Sequence, residues 1–115
     1  MTFGTIYERG EILIVPFPFS DLSSIKQRPV VVLSKKEYNS RTEDIITCGI
    51  TSNLKDSENS VILENKNLSK GQIPVTSRVK VDKLFTLDKS IVRKSIGKIN
   101  TVTFEEIKKE FVNLV

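Results

Sequence analysis

Histidine and tryptophan are absent from this chain of 115 residues, and cysteine occurs once, as Cys48. Without histidine, a zinc site is close to excluded, and so are Ser/His and Cys/His catalytic pairs. The single cysteine rules out an internal disulfide, which is consistent with a reducing compartment. Because Cys48 lies in the apolar run IITCGI, we expect a small buried hydrophobic residue rather than a nucleophile.

Long hydrophobic segments are missing as well. No stretch reaches the ~18 to 20 apolar residues of a membrane span. The N-terminal sequence MTFGTIYERGE lacks the apolar core of a signal peptide, so we expect a cytoplasmic protein. The chain is 38% hydrophobic and 28% charged, a composition that suits one globular domain over residues 1–115.

Acidic residues are fewer than basic ones, 14 against 18, so the net charge is +4 and the pI is near 9.3. The excess is concentrated between residues 78 and 98, which include Arg78, Lys80, Lys83, Lys89, Arg93, Lys94 and Lys98 but only two acidic residues. An anionic partner would explain this distribution, although a solvated surface is its more common cause.

Short apolar runs separated by turn-forming residues predict a chain made mainly of β-strands. The runs Ile12–Phe19 and Val30–Leu33 are typical of strands buried on both faces. Strands are predicted at Glu11–Phe17, Val30–Ser34, Asp44–Ile50, Val61–Leu63, Pro74–Leu84 and within Ile91–Ile99, with loops at Ser20–Gln27 and Thr51–Ser60, a break at Asn65–Gln72 and a helical turn or loop at Lys35–Arg41.

The C-terminal segment carries the clearest helix signal. Thr103 and Glu106 have the spacing of a capping box, with Val102 and Ile107 placed as a hydrophobic staple. One face then collects the apolar residues Phe104, Ile107, Phe111 and Leu114. Together these patterns predict a small, mainly antiparallel barrel with a C-terminal helix that packs on the sheet.

Arg28 is the first candidate for a functional residue. It ends the polar loop Ser20–Gln27 and precedes Pro29, which restricts Arg28 to an extended conformation at the start of a strand. A guanidinium remains charged and matches the geometry of a phosphate group. An ordinary surface arginine at a strand start explains the same pattern equally well.

Lys80 and Asp82 form a second candidate pair. Residues two apart on a strand share a face, so the two side chains can meet. A surface ion pair that contributes little stability is the alternative explanation.

The catalytic side chains available to this chain are those of Arg, Lys, Asp, Glu, Ser, Thr and Tyr. They suit phosphoryl transfer within RNA, because the 2′-hydroxyl of the substrate supplies the nucleophile.

Several motifs together resemble the MazF/PemK family of toxins: Gly10-Glu11, Val15-Pro16-Phe17-Pro18-Phe19, Asp21-Leu22, Arg28-Pro29-Val30, Ile50-Thr51-Ser52 and the segment Ser77–Asp88. The resemblance covers nearly the whole chain and implies an SH3-like barrel of the CcdB/PemK type. It also implies a homodimeric type II toxin that needs no cofactor or metal. Such a toxin cuts single-stranded mRNA at selected sequences, leaves a 2′,3′-cyclic phosphate and a 5′-hydroxyl, and is neutralised by a cognate antitoxin.

The same resemblance assigns roles to residues. Arg28 corresponds to the family's catalytic arginine, and Thr51 to a residue that donates a hydrogen bond to the scissile phosphate. Lys80 and Asp82 stand where some members have an Arg-x-Asp acid–base pair. The identity of the general base stays open, because a histidine that some relatives carry in the first loop is missing here. Contacts to RNA are expected from Ser20, Asp21, Lys26, Gln27, Ser52, Asn53 and Arg78.

Two other functional classes remain open. Toxins with this fold also poison DNA gyrase by binding, which would depend on the end of the C-terminal helix, so deleting Asn113–Val115 would distinguish the two. A degenerate RNA-binding barrel, or a structural barrel with no nucleic-acid role, is the remaining alternative. A purely structural barrel predicts no salt-dependent binding of RNA.

Overall fold

The computed structural model describes residues 6–18 and 25–115. Its strands are β1 (Glu11–Pro18), β2 (Ile25–Val32), β3 (Asp44–Thr51), β4 (Ser60–Leu63), β5 (Leu68–Gly71), β6 (Ser77–Asp88) and β7 (Lys94–Ile99), and its helices are α1 (Lys36–Arg41) and α2 (Thr101–Leu114). The strands form one antiparallel seven-stranded sheet in the order β4-β6-β3-β2-β1-β7-β5, curled into a half-barrel. In the described parts of the chain, neither helix is long and apolar enough to cross a membrane.

Both faces of this sheet carry apolar packing. Successive strand residues point to opposite faces, so Val30 and Val31 of β2 enter different clusters. The larger cluster lies under α2 and contains Ile12, Val31, Cys48, Ile50, Val61, Leu63, Ile73, Val79, Val81, Ile99, Phe104 and Ile107. The smaller one contains Leu13, Val15, Val30, Val32 and Ile45. The prediction that the first two strands are buried on both faces is therefore confirmed.

Three strands differ from the predictions by more than one residue. β2 runs from Ile25 to Val32 rather than from Val30 to Ser34, because its first residues pair with the end of β1. The predicted break at Asn65–Gln72 contains β5, which pairs with β7 through an irregular register. β6 runs from Ser77 to Asp88 rather than from Pro74 to Leu84, so Val75 lies outside the strand and is exposed. Exposed or edge strands lack the apolar pattern that reveals buried ones.

The start of α2 is also corrected. The cap is Asn100, whose side-chain oxygen accepts a hydrogen bond of 2.8 Å from the backbone N–H of Thr103. Asparagine is as good an N-cap as threonine, so the helix begins earlier than the Thr103–Glu106 capping box predicted. Thr103 is instead buried, and its hydroxyl accepts a hydrogen bond from Asn67. The predicted apolar face is confirmed for Phe104 and Ile107, which are buried against the sheet, and Phe111 packs partly buried beside them. Leu114 and the predicted staple residue Val102 are exposed, so that part of the prediction is wrong.

Cys48 should be chemically inert in the folded protein. Its side chain is fully buried, and burial raises the pKa of the thiol to about 12. The reactive thiolate is therefore nearly absent at pH 8. We expect no reaction of the native protein with Ellman's reagent at pH 8, and one thiol per chain after unfolding in guanidinium chloride. Rapid labelling before unfolding would contradict the burial of Cys48.

Candidate active site

Three neighbouring strands, β2, β3 and β6, bring the predicted residues to one end of the sheet. β3 is antiparallel to both neighbours, so its C-terminal end lies beside the early residues of β2 and β6. The pairing of Val30 with Gly49 continues towards Arg28 and Thr51, and Thr51 itself pairs with Arg78. Arg28 and Thr51, 23 positions apart in the sequence, thus become close neighbours.

A surface depression of about 220 Å³ lies at this end of the sheet. Gly49 leaves room in it, because a side chain there would project towards Lys83 and Phe85. The depression is lined by Arg28, Pro29, Gly49, Ile50, Thr51, Asp56, Lys80, Lys83 and Phe85. The structure therefore brings together three of the four predicted catalytic residues. The fourth, Asp82, lies outside the lining and is linked to it through Lys80.

Lys80 is the most buried charged group of the site, with only 4% of its surface exposed. Its ammonium group lies 2.8 Å from an Asp56 carboxylate oxygen, 2.6 Å from the carbonyl oxygen of Glu58 and 3.6 Å from an Asp82 carboxylate oxygen. The predicted meeting of Lys80 and Asp82 is therefore observed, but Asp56 is the closer carboxylate. Hydrogen bonding to Asp56, with the charge of Asp82 nearby, raises the pKa of Lys80, so it stays protonated at neutral pH.

Thr51 ends β3 at the rim of the depression. Its hydroxyl oxygen accepts a hydrogen bond of 3.1 Å from the backbone N–H of Asn53. A threonine hydroxyl is one donor as well as an acceptor, so this contact leaves the proton of Thr51 for another acceptor. The arrangement can therefore present a hydrogen-bond donor to an anion bound beside Arg28.

Five of the seven residues predicted to bind RNA are described by the structure, and they lie around the depression rather than in it. Lys26 and Gln27 are exposed on β2 next to Arg28, and Ser52 and Asn53 are exposed where the next loop begins. Arg78 points at that loop, donating hydrogen bonds of 2.9 Å to the Leu54 carbonyl and 3.2 Å to the Ser60 hydroxyl. Ser20 and Asp21 lie outside the described residues.

Asp56, Lys83 and Phe85 line the depression but were not among the predicted site residues. The register of β6 against β3 shifts between Cys48 and Gly49, which makes residues 81–83 a bulge. A methyl group added at Gly49 would lie 3.7 Å from both Lys83 and Phe85. Lys83 belongs to the basic run from Arg78 to Lys98, which the sequence analysis singled out. Neither the bulge in β6 nor the contact between Lys80 and Asp56 has a local sequence pattern that would predict it.

Two larger depressions, of about 430 and 510 Å³, lie beside α2. The first has a mixed lining of acidic and basic side chains, including Glu8 and Lys98, and the second is mainly apolar, with Leu84 and Phe111. Neither contains Arg28 or Thr51. Within the described residues, no three His, Cys, Asp or Glu side chains are grouped so that they could hold a metal ion.

The model of the PemK-like, MazF-like toxin family of type II toxin–antitoxin systems matches residues 8–115. The chain belongs to this family. No curated protein sequence matches this MazF-like toxin significantly. Family membership agrees with the motifs around Arg28 and Thr51, which the fold places side by side.

Solved structures with the same fold include MazF proteins. A MazE–MazF complex from Deinococcus radiodurans superposes with a TM-score of 0.79 at 21% identity, covering 96% of each chain. An endoribonuclease from a mycobacterial species gives 0.75 at 20% identity, covering 97% of this chain and 93% of that one. The Mycobacterium tuberculosis toxin MazF-mt6 gives 0.71 at 18% identity, covering 90% and 93%. These likenesses confirm the predicted fold class of the MazF-like toxin, mainly β with a C-terminal helix.

Proposed function

We propose that this MazF-like toxin is an endoribonuclease that cuts single-stranded mRNA at selected sequences without a metal ion. The observation that carries the proposal is the placement of Arg28 and Thr51 together at the rim of a depression, with the Lys80–Asp82 pair beside them. The family and the fold support it, since an endoribonuclease and MazF toxins share this architecture.

The chemistry begins with the ribose 2′-hydroxyl, which attacks the adjacent phosphorus as its proton passes to a base. A P–O bond forms to the 2′-oxygen, and the bond to the 5′-oxygen breaks as that oxygen takes up a proton. The products are a 2′,3′-cyclic phosphate and a 5′-hydroxyl. Arg28 stabilises the charge that develops on the phosphate oxygens, and the Thr51 hydroxyl donates a hydrogen bond to one of them.

Asp82 is the proposed proton acceptor, because its carboxylate is partly exposed and lies 3.6 Å from the ammonium group of Lys80, which lines the depression. A guanidinium has only hydrogen-bond donors and no acceptor, so Arg28 cannot take this role.

Lys83 and Phe85 extend the site for binding. Lys83 is exposed at the depression and can contact a flanking phosphate as a point charge. Phe85 is 38% exposed on the same wall and offers an aromatic surface on which a base can stack. Ser52, Asn53, Lys26 and Gln27 surround this wall and complete the proposed RNA surface, together with Ser20 and Asp21 of the preceding loop.

Partners and location follow from the same proposal. The toxin acts in the cytoplasm, where mRNA is found, and works as a homodimer. A cognate antitoxin keeps it inactive by covering the RNA surface. The support for an antitoxin is that MazE–MazF and endoribonuclease–antitoxin complexes have been solved on this fold.

The proposal predicts cleavage of a long single-stranded RNA in excess EDTA. We expect fragments that end in a 2′,3′-cyclic phosphate and a 5′-hydroxyl at a recurrent short sequence, which end-mapping will identify. A control RNA with one 2′-deoxy nucleotide at the cut position should stay intact there, because the nucleophile is gone. Cleavage at the deoxy position, or cleavage that requires added Mg²⁺, would contradict the mechanism.

Intact RNA from a folded protein free of antitoxin would point instead to a non-catalytic toxin. A gyrase supercoiling assay with the protein lacking Asn113–Val115 then separates the alternatives. Gyrase inhibition that disappears with this deletion would support poisoning by binding. Salt-dependent RNA binding without cleavage would support a degenerate RNA-binding barrel.

A further inference from the structure

We propose that Lys80 is a positioning residue that fixes the loop Ser52–Asn59 beside the active site, and that this loop sets RNA sequence preference. The proposal rests on the endoribonuclease function proposed above and gives Lys80 a role other than contact with the substrate. It comes from the direction of the Lys80 contacts, two of which reach into the loop, at Asp56 and Glu58.

The donors of Lys80 are already engaged within the protein. A lysine ammonium has three N–H donors. Two are hydrogen-bonded to Asp56 and to the Glu58 carbonyl, and the third direction faces the Asp82 carboxylate at 3.6 Å. A phosphate could reach Lys80 only by displacing a carboxylate from a nearly buried position. Lys80 is therefore better placed to hold protein groups than to bind RNA.

The loop is held from one strand at several points. Arg78, two residues before Lys80 on β6, binds the loop carbonyl of Leu54, and the backbone N–H of Val81 donates to the Asn59 carbonyl at 3.0 Å. Among the contacts described between this loop and β6, the only ion pair is the one between Lys80 and Asp56. Charge-assisted hydrogen bonds of this kind are roughly twice as strong as neutral ones.

The held loop connects directly to the proposed chemistry. Its first residues adjoin Thr51, whose hydroxyl accepts the Asn53 N–H, and Asp56 lines the same depression as Arg28. Bases on either side of the cut phosphate would meet the exposed residues of this loop. Loosening the loop should therefore change which sequences bind well, with a smaller effect on the reacting groups.

The test compares Lys80→Met, Asp56→Asn and the double variant with the wild type. Asp56 is about half exposed, so Asp56→Asn removes the charge from the contact and weakens it without disturbing the core should Lys80→Met fail to fold. The matched control is Glu58→Gln, which removes the same charge from the same loop, because Glu58 contributes only its main-chain carbonyl to the contact.

Backbone amide hydrogen exchange of residues 53–58 measures how firmly the loop is held, and it does not depend on RNA cleavage. We expect about tenfold faster exchange in Lys80→Met and Asp56→Asn, no further acceleration in the double variant, and wild-type exchange in Glu58→Gln. Unchanged exchange in both single variants would overturn the proposal. The exchange measurement still tests the role of Lys80 in holding the loop if the wild-type protein cleaves no RNA. That outcome would reject only the proposed function.

Cleavage kinetics test whether the held loop sets the RNA sequence preference. In Lys80→Met and Asp56→Asn we expect KM to rise about tenfold, kcat to change less than about threefold, and the cleaved sequence to become less strict. Asp56→Glu should restore most of the wild-type preference. A fall in kcat for Lys80→Met, with KM and sequence preference unchanged and Asp56→Asn active, would instead make Lys80 a catalytic residue.

Discussion

Replacing Arg28 by alanine should abolish RNA cleavage while the protein remains as stable as the wild type. Arg28 is exposed at the rim of the depression, so its removal leaves no cavity in either apolar cluster. Losing one preorganised group that stabilises transition-state charge typically slows a reaction by about 10² to 10³-fold. The free energy of unfolding should change by less than about 1 kcal/mol, as for other surface substitutions. Initial cleavage rates and urea unfolding curves check the two halves of this prediction.

Arg41 provides a matched control for charge. It is an exposed arginine at the end of α1, beside the start of β3, whereas Thr51 is at the other end of that strand. A strand of this length spans roughly 25 Å, so Arg41 lies far from the depression. Arg41→Ala should cut RNA at close to the wild-type rate. Equal losses in both variants would show that total positive charge, and not the position of Arg28, limits cleavage.

Arg28→Lys distinguishes geometry from charge. Lysine keeps the positive charge but loses the planar fork that contacts two phosphate oxygens at once. We therefore expect a rate between those of Arg28→Ala and the wild type. A fully active lysine variant would show that Arg28 acts as a point charge only, which would weaken its assignment to the transition state.

The buried strands of this fold could be predicted because their sequence pattern is strong. β1 and β3 are short, mainly apolar runs, and their predicted bounds agree with the structure to within one residue. β5 could not be predicted in the same way. It is a short edge strand with polar, exposed residues, and only its pairing with β7 makes it a strand.

The candidate site was predictable in its parts but not in its connections. Arg28 could be placed because Pro29 restricts it, and Thr51 because Ile50-Thr51-Ser52 resembles a motif of the MazF/PemK family. The partner of Lys80 could not be found, since Asp56 lies 24 positions earlier in a polar loop. The alternative of a surface ion pair between Lys80 and Asp82 is wrong for Lys80, because the loop that folds over β6 buries it. Contacts of this range depend on the tertiary fold and leave no local pattern.

Gly71 is the position where the smallest substitution should do the most damage to stability. Its φ of +73° is one that side chains rarely adopt, and β5 there lies directly against β7. A Cβ atom on Gly71 would be 2.0 Å from the Ile96 carbonyl oxygen and 2.6 Å from the Gly97 Cα. Both are backbone atoms that cannot rotate away, so β5 must detach or shift. Strain and overpacking together should cost on the order of 3 kcal/mol or more in Gly71→Ala.

Thermal and urea unfolding of Gly71→Ala measure this loss, which we expect as a fall in Tm of roughly 10 °C or more. The control is Gly49→Ala, since a Cβ atom there meets Lys83 and Phe85 at 3.7 Å, which is ordinary contact. It should unfold like the wild type.

The order of the two variants should be reversed in the cleavage assay, where Gly49→Ala is the more damaging substitution. Gly71→Ala, kept below its Tm, should cut RNA normally because β5 is an edge strand separated from β3 by β2, β1 and β7. Gly49→Ala partly fills the depression and should cut more slowly. A destabilised Gly49→Ala with normal cleavage would place the substrate somewhere other than this depression.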